Sequence, residues 1–325
     1  MQSDIAQFPS SRAAHIPHVL HTGKRLWNRA NSYASLWIEL LHGWGFEPLA
    51  ALACAVALEF DGDQFTVLSL PADDLKVLYG VTTFRLAIYD RLEAHIGKQT
   101  DAGNVVLADV DTFHLPDVPS LYGVLHGPTL VGIDRLDMAT CTASYYRQGR
   151  HYELSGDDYR GVFRQPARVE GYHDALIRHV ECAKRAFPPV SDEALAAVSV
   201  QLLRRHLGRV PQRSPIAAFR STLASALEKL VHSGETFRHS FAYGTLSQIG
   251  SHFELFTAYL QWLESRHHPQ PMGCIQASQS LVSESLICQM RLLRATTRGQ
   301  IDPCEDSLDR IEANYEALMA CLRTS

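Results

Sequence analysis

An α+β region followed by an all-helical one is the fold class that the sequence predicts, on three observations. An apolar stripe with helical spacing opens the first core segment, where Tyr33, Leu36, Trp37, Leu40 and Leu41 recur every three or four residues. From Asn104 to about Gly156 the spacing changes to the two-residue alternation of strands. From Gln165 onward, helical stripes follow one another almost without a break. That order is expected of an α+β domain, residues 1–164, packed against a helical bundle, residues 165–325.

The helix in "SYASLWIELLHGWG" ends at Gly43 or Gly45. "EPLAALACAVALEFDGDQFTVLSL" reads as a short buried helix, a turn at Asp61-Gly62-Asp63 and a strand from Phe65 to Leu70. "PADDLKVLYGV" begins another helix, since Pro71 suits a first turn and Asp73 and Asp74 suit the positive end of the helix dipole. "NVVLADVDTFHL" (Asn104–Leu115) is the clearest strand, β-branched with alternating polar positions. After the Pro-rich loop "PDVPSLYG" comes a second strand with a turn in "HGPTLVGIDRLD", and "ATCTASYYRQGRHYELSG" supplies one or two more. In the second half "YHDALIRHVECAKRAF", "SDEALAAVSVQLLRRHLG", "SPIAAFRSTLASALEKLVHSG", "TFRHSFAYGTLSQIGSHFELFTAYLQWLESR", "SQSLVSESLICQMRLLRATTRG" and "SLDRIEANYEALMACL" each read as helical. Pro188-Pro189, Pro211, Pro215, Pro269 and Pro271 punctuate them.

Composition narrows the function. With 46% hydrophobic and 20% charged residues, the 325-residue chain has a soluble globular profile. A net charge of −5 without a basic stripe disfavours nucleic acid. No apolar run approaches the roughly 20 residues of a membrane span. The first residues, "MQSDIAQFPSSRAAHIPHVL", lack the charged-then-apolar order of a secretion signal, so a cytoplasmic protein is expected. Seven cysteines, none in a C-x-x-C pair, predict reduced thiols in place of a disulfide framework or a cysteine zinc site. No metal is expected.

The polar run Arg29-Ala30-Asn31-Ser32-Tyr33 leads straight into the first core helix. Ser32 has two readings. It is a good N-cap, and it also stands where a nucleophile would feel the positive end of the helix dipole beside N–H groups able to bind an oxyanion. Asn31, Asn28 and Tyr33 are candidates to contact an oxyanion or substrate, the two asparagines being equally at home in turns. His126, just ahead of a strand and beside Gly127, is a candidate general base. His114 is its rival, with Asp109, Asp111 and Asp117 nearby. Asp134 and Asp137, after the His126 strand, could orient an imidazole. His252 shares a helix face with Phe256 and Tyr259, as expected of a packed helix facing a cleft.

Through most of its length the chain resembles a bacterial family catalogued as domain of unknown function 1839. The marks are "NSYASLWIELLHGWGFEPLAALACAVALEFDGDQFT", "VVLADVDTFHLPD" with His126 downstream, and "TLSQIGSHFELFTAYLQWL". A more distant resemblance links the N-terminal half to butirosin biosynthesis protein H and its relatives. It implies a papain-like cysteine-peptidase-type fold and transfer of aminoacyl groups from an acyl carrier protein to an amine. The shared pattern is a Cys opening the first core helix, an Asp-rich strand ending in aromatic-Leu-Pro, and a His leading the next strand. Here those positions read Ser32, "DVDTFHLP" and His126, whereas the family pattern is Asn-Cys-Tyr at Asn31-Ser32-Tyr33. A thiol at that place ionises far more readily than a hydroxyl.

The resemblance implies Ser32 as the nucleophile position and His126 as the base. Gln148 is the aligned orienting residue, because Arg147-Gln148 stands where a His-Asn pair is usual. The implied activity is acyl or aminoacyl transfer in natural-product biosynthesis, from a carrier protein to a small-molecule amine or a second thiol. No bound cofactor is implied beyond the donor's own phosphopantetheine. The alternatives are a thioesterase or amidase acting on the same donor, and a catalytically silent carrier-binding protein. Arginine-rich helix faces ("QLLRRHLGR", "QMRLLRATTRG") could dock an acidic carrier.

Overall fold

A computed structural model describes residues 15–23, 25–163, 179–269, 271 and 273–324. After a 3-10 turn at Val19–His21, helices α1 (Trp27–Ala30) and α2 (Ser32–Gly43) are separated only by Asn31. The segment Pro48–Val56 is a buried 3-10 helix, and α3 (Ala72–Tyr79) leads into β1 (Val81–Ala87). Then come α4 (Leu92–Asp101), β2 (Val105–Asp111), β3 (Pro128–Asp137), β4 (Thr142–Arg147), β5 (Arg150–Ser155), α5 (Gly156–Phe163) and β6 (His179–Arg185). The helical region comprises α6 (Asp192–Leu207), α7 (Pro215–His232), α8 (Glu235–Gly244), α9 (Leu246–Ser265), α10 (Cys274–Thr297) and α11 (Glu305–Arg323).

The strands form one six-stranded sheet in the order β1-β6-β2-β3-β4-β5, every neighbouring pair antiparallel. Strand periodicity divides its side chains between two faces. Val106, Ala108, Val110, Val131, Ile133, Val180 and Cys182 join α4 and α5 in one core cluster. Val105, Leu107, Ala183 and Tyr146 face the other way, toward α2 and the buried 3-10 helix. That second core continues into α6, α7, α9, α10 and α11, with α6 and α9 packed on the buried 3-10 helix and α9 on α1. Among the described residues, no helix is long and apolar enough to cross a membrane.

Several expectations are corrected. The residues His179–Arg185, read as part of a helix, are strand β6. Its alternation of Val180 and Cys182 with Glu181 matches a sheet, and it lies between β1 and β2, hydrogen-bonded on both edges. The boundary therefore falls between Arg185 and α6, not at residue 164. Phe65–Leu70 is no strand: it makes one bridge, Phe60–Phe65, and the Leu68 carbonyl accepts from the Asn31 side chain. Strand β1 and helix α4 were not foreseen. Cys274 and Cys321 form a disulfide where reduced thiols were expected, because the antiparallel packing of α10 and α11 brings the start of one helix to the end of the other.

Two buried carboxylates tie the architecture together. Asp74 of α3 accepts from His206 at 2.6 Å and Arg205 at 3.0 Å, joining the sheet region to α6. Glu39 of α2, fully buried, accepts from His15 at 2.6 Å, from the His18 backbone at 3.0 Å, and pairs with His21. Burial pushes the Glu39 carboxyl up, but its bonds to His15 and His21 outweigh this and bring it to about 2. Burial and the neighbouring His42 hold His18 down at about 4.

Replacing Asp74 by alanine leaves His206 and Arg205 without their acceptor, and a loss of about 3 kcal/mol is expected in denaturant unfolding. Both pKa shifts around Glu39 are depressions, so the unfolded chain binds the extra protons. The His18 contribution, present above pH 6.5, is lost as pH falls through about 4, and that of Glu39, present above 4.5, is lost toward about 2. Melting temperature should fall on acidification through this window, and Glu39→Gln should flatten its lower part.

Candidate functional site

The start of α2 is built by residues from both halves of the chain. Asn31 is the N-cap: its Oδ1 accepts from the Ala34 N–H at 2.8 Å, and its Nδ2 donates to the Leu68 carbonyl at 2.8 Å. This corrects one reading: Ser32 is not the cap but the first helical residue. One of the two Asn31 amide N–H groups is taken by the Leu68 carbonyl. The Ser32 side is exposed, while every residue from Ala34 to Leu41 is buried. Helix geometry leaves the Ser32 and Tyr33 N–H groups without intrahelical acceptors. The Tyr33 hydroxyl donates to Glu181 of β6 at 3.0 Å, and burial together with that carboxylate pushes its pKa up to about 12.

The helical region holds this entrance in place. Glu254 of α9 accepts from the Leu26 and Trp27 N–H groups at 2.8 and 3.0 Å. At the other end of α1, the Ala30 carbonyl accepts from the Tyr243 hydroxyl at 3.0 Å and the Gln248 amide at 3.4 Å. His252, one turn beyond Gln248, is buried; its Nδ1 bonds the Gln248 carbonyl, and desolvation lowers it to about 4. It packs and does not face an open site.

His126 is exposed, and its Nδ1 lies 2.5 Å from Asp111 Oδ2. Asp111 Oδ1 accepts from the Phe113 and Gly127 N–H groups, so one carboxylate fixes both ends of the connection between β2 and β3. Burial alone would raise the Asp111 carboxyl, but these bonds, led by that to His126, hold it below its ordinary value. Phe113 stacks on the imidazole with ring centres 4.3 Å apart. The Nδ1 contact leaves Nε2 as the nitrogen directed away from Asp111.

The other sequence candidates lie elsewhere. Gln148 occupies the exposed tip of the β4–β5 hairpin with a left-handed φ of 43°, and the partner at His126 is Asp111. Asp134 accepts from Ser144 at 2.8 Å and from His151 at 3.0 Å. Asp137 accepts from the Ala139 and Thr140 N–H groups in the β3–β4 turn. His114 packs against Gly161 of α5. The Asp117 side chain is buried, paired with Arg147 at 2.6 Å and accepting from Tyr145 at 2.5 Å. In the two basic runs, Arg205 is held by Asp74 and Arg291 by Asp302 and Asp306. Among the described residues, no group of three or more His, Cys, Asp or Glu is placed to hold a metal ion.

Asp111 escaped the sequence reading as a partner of His126, having been grouped with His114. The signal was present in the pairing: antiparallel β2 and β3 set Asp111 opposite Pro128, two residues from His126. Strand alternation places Asp109 and Asp111 on the same sheet face as Leu107, the face that α2 covers. The same face carries Glu181, which Tyr33 touches, and Gly132, which lies beneath Leu36 and Leu40. Ser32 is one turn from Leu36 on the helix. Among the described residues no hydrogen bond joins Ser32 to His126, whose partner Asp111 ends β2.

The Asp117–Arg147 pair anchors the loop that carries His126. Asp117→Asn strips a buried guanidinium of its countercharge, and a loss of about 3 kcal/mol is expected. Hydrogen exchange should show lost protection between Thr112 and Gly127 ahead of the sheet itself.

Two family models match the chain in series. The DUF1839 N-terminal domain covers residues 16–185, ending with β6, and the DUF1839 C-terminal domain covers residues 192–324, beginning with α6. No curated protein matches it. Matched over nearly its whole length and divided where the sheet gives way to the helices, the chain belongs to the DUF1839 family.

Proposed function

We propose that this protein is an acyl or aminoacyltransferase with a papain-like N-terminal region, using residue 32 as the acyl-carrying position. The observation that carries the reading is the His126–Asp111 hydrogen bond, formed on the sheet face beneath a helix whose first side chain, Ser32, is exposed. The donor is a thioester on the phosphopantetheine of a carrier protein, and the acceptor is an amine or a second thiol, as in natural-product biosynthesis.

In the first half-reaction Ser32 Oγ attacks the thioester carbonyl while His126 Nε2 takes its proton. Negative charge on the carbonyl oxygen is met by the N–H groups at the start of α2. The C–S bond breaks, His126 protonates the departing thiolate, and the acyl group remains as an ester on Ser32. In the second half-reaction the amine attacks that ester, His126 accepts the amine proton, and the proton returns to Ser32 as the C–O bond breaks. Asp111 remains ionised throughout and holds the imidazole in the tautomer that presents Nε2.

The exposure of His126 favours one second reading, hydrolysis, in which water replaces the amine. The experiment is intact-mass analysis after incubation with acyl-loaded carrier protein, for the chain and for Ser32→Cys. Ser32→Cys is expected to gain the acyl mass faster, because a thiol there needs less help from the base. His126→Ala should slow acylation about 100-fold or more. An acyl adduct that decays equally with and without an amine supports hydrolysis. Carrier binding with no adduct on either form would overturn catalysis in favour of a silent carrier-binding protein.

A further inference from the structure

Helices α10 and α11 form an antiparallel hairpin with cysteines at both of its ends. The Cys274–Cys321 disulfide closes one end. Along α10, Cys288 lies about four turns, or ~21 Å, beyond Cys274 and returns to nearly the same helix face. Cys304 is the N-cap of α11. Its thiol and that of Cys288 are hydrogen-bonded to one another, both residues being fully buried.

A clamp presents one thiol to the other. Arg291, one turn beyond Cys288, forks onto Asp302, with Nε 2.6 Å from Oδ2 and Nη2 3.1 Å from Oδ1. Asp302 Oδ1 in turn accepts from the Cys304 N–H at 2.9 Å, and the Asp302 carbonyl accepts from the Cys304 thiol at 3.6 Å. Cys304 is held at a φ of 53°, a left-handed conformation that glycine or asparagine adopts more readily. The Cys288 S–H donates to the Cys304 sulfur and holds the Cys304 thiol below its ordinary value. The same bond, with burial, pushes the Cys288 thiol up. Cys304 is therefore the nucleophile of the pair and Cys288 the thiol that resolves it. The other two buried thiols, Cys54 and Cys182, are pushed up by burial.

We infer that Cys288 and Cys304 are a dithiol modification site, which a small disulfide oxidises to a second disulfide inside the ring closed by Cys274 and Cys321. Both sulfurs are covered, so the first step needs an opening. The turn that carries Asp302 is otherwise exposed from Arg298 to Pro303, and its lifting from Arg291 admits the reagent to Cys304. Cys304 attacks one sulfur of the reagent RSSR, whose S–S bond breaks, and RS⁻ leaves and takes up the Cys304 proton. The Cys288 sulfur then attacks Cys304, the mixed disulfide breaks, and the second RS⁻ takes the Cys288 proton. Two thiols are oxidised to one disulfide, and one RSSR is reduced to two RSH. The closing step needs no access from outside, because its two sulfurs already touch. The inference does not rest on acyl transfer at Ser32.

The test is incubation of the full folded chain with 2-hydroxyethyl disulfide, alkylation of the remaining thiols in denaturant, and peptide mapping by mass spectrometry without reduction. A peptide pair joined through Cys288 and Cys304, lighter by two hydrogens, should form about 10-fold or more faster than any adduct at Cys54 or Cys182. Cys288→Ser should stop at the mixed disulfide on Cys304, whereas Cys304→Ser should leave Cys288 reduced. The half-exposed Cys141 should take a simple adduct and so report that the reagent is active. The inference is overturned if Cys288 and Cys304 stay reduced while Cys141 reacts, if each takes its own adduct without joining, or if Cys304→Ser leaves Cys288 as reactive as in the parent.

Discussion

Gly132 sets the distance between α2 and the sheet: a β-carbon on it would stand 3.0 Å from a Leu36 methyl and 3.4 Å from one of Leu40. With nothing at that point but backbone, the helix lies directly on β3, and its C-terminal end reaches Tyr146 of β4 at Gly43. The buried 3-10 helix and the segment before α1 pack on it as well, and Ala34 to Leu41 are buried. Glu39 is the charged exception, and three histidine-bearing positions of the preceding segment supply its hydrogen bonds. A helix so enclosed cannot shift without disturbing the core it shares with the sheet and the buried 3-10 helix, and residue 32 inherits that rigidity.

The two halves of the chain act on one another through few polar contacts and much apolar surface. Asp74 reaches from α3 to α6, and Ser199 of α6 donates to the Ala50 carbonyl in the buried 3-10 helix. From α9, Glu254 caps the start of α1, while Gln248 and, from α8, Tyr243 hold its last carbonyl. The helical region is thus part of the machinery that aims the α2 entrance, and its removal would free the segment immediately before Ser32.

What the sequence made legible was whatever is encoded locally. Helix α2 and strands β2 to β5 announce themselves through periodicity and β-branched composition. The cap was legible only to within one residue: Asn31 and Ser32 both favour that role, and the choice depended on Leu68, far along the chain, accepting the Asn31 amide. Strand β6 was missed because its alternation is short and was read into a helical stripe, and its pairing with β1 and β2 is not local. The Asp111–His126 contact was missed because it depends on register between two strands. His126 itself could be singled out early, its place before a strand being a local property, whereas Gln148, chosen by alignment, turned out to serve a hairpin turn with Gly149.

The disulfide between Cys274 and Cys321 also has a topological side. It closes a loop of 47 residues that contains nearly all of α10 and α11. In the chain-entropy picture, a ring of that size removes about 4 kcal/mol of freedom from the unfolded chain. The last two helices are therefore a ring and not a tail: a cut in the turn between them would yield two peptides that still travel together.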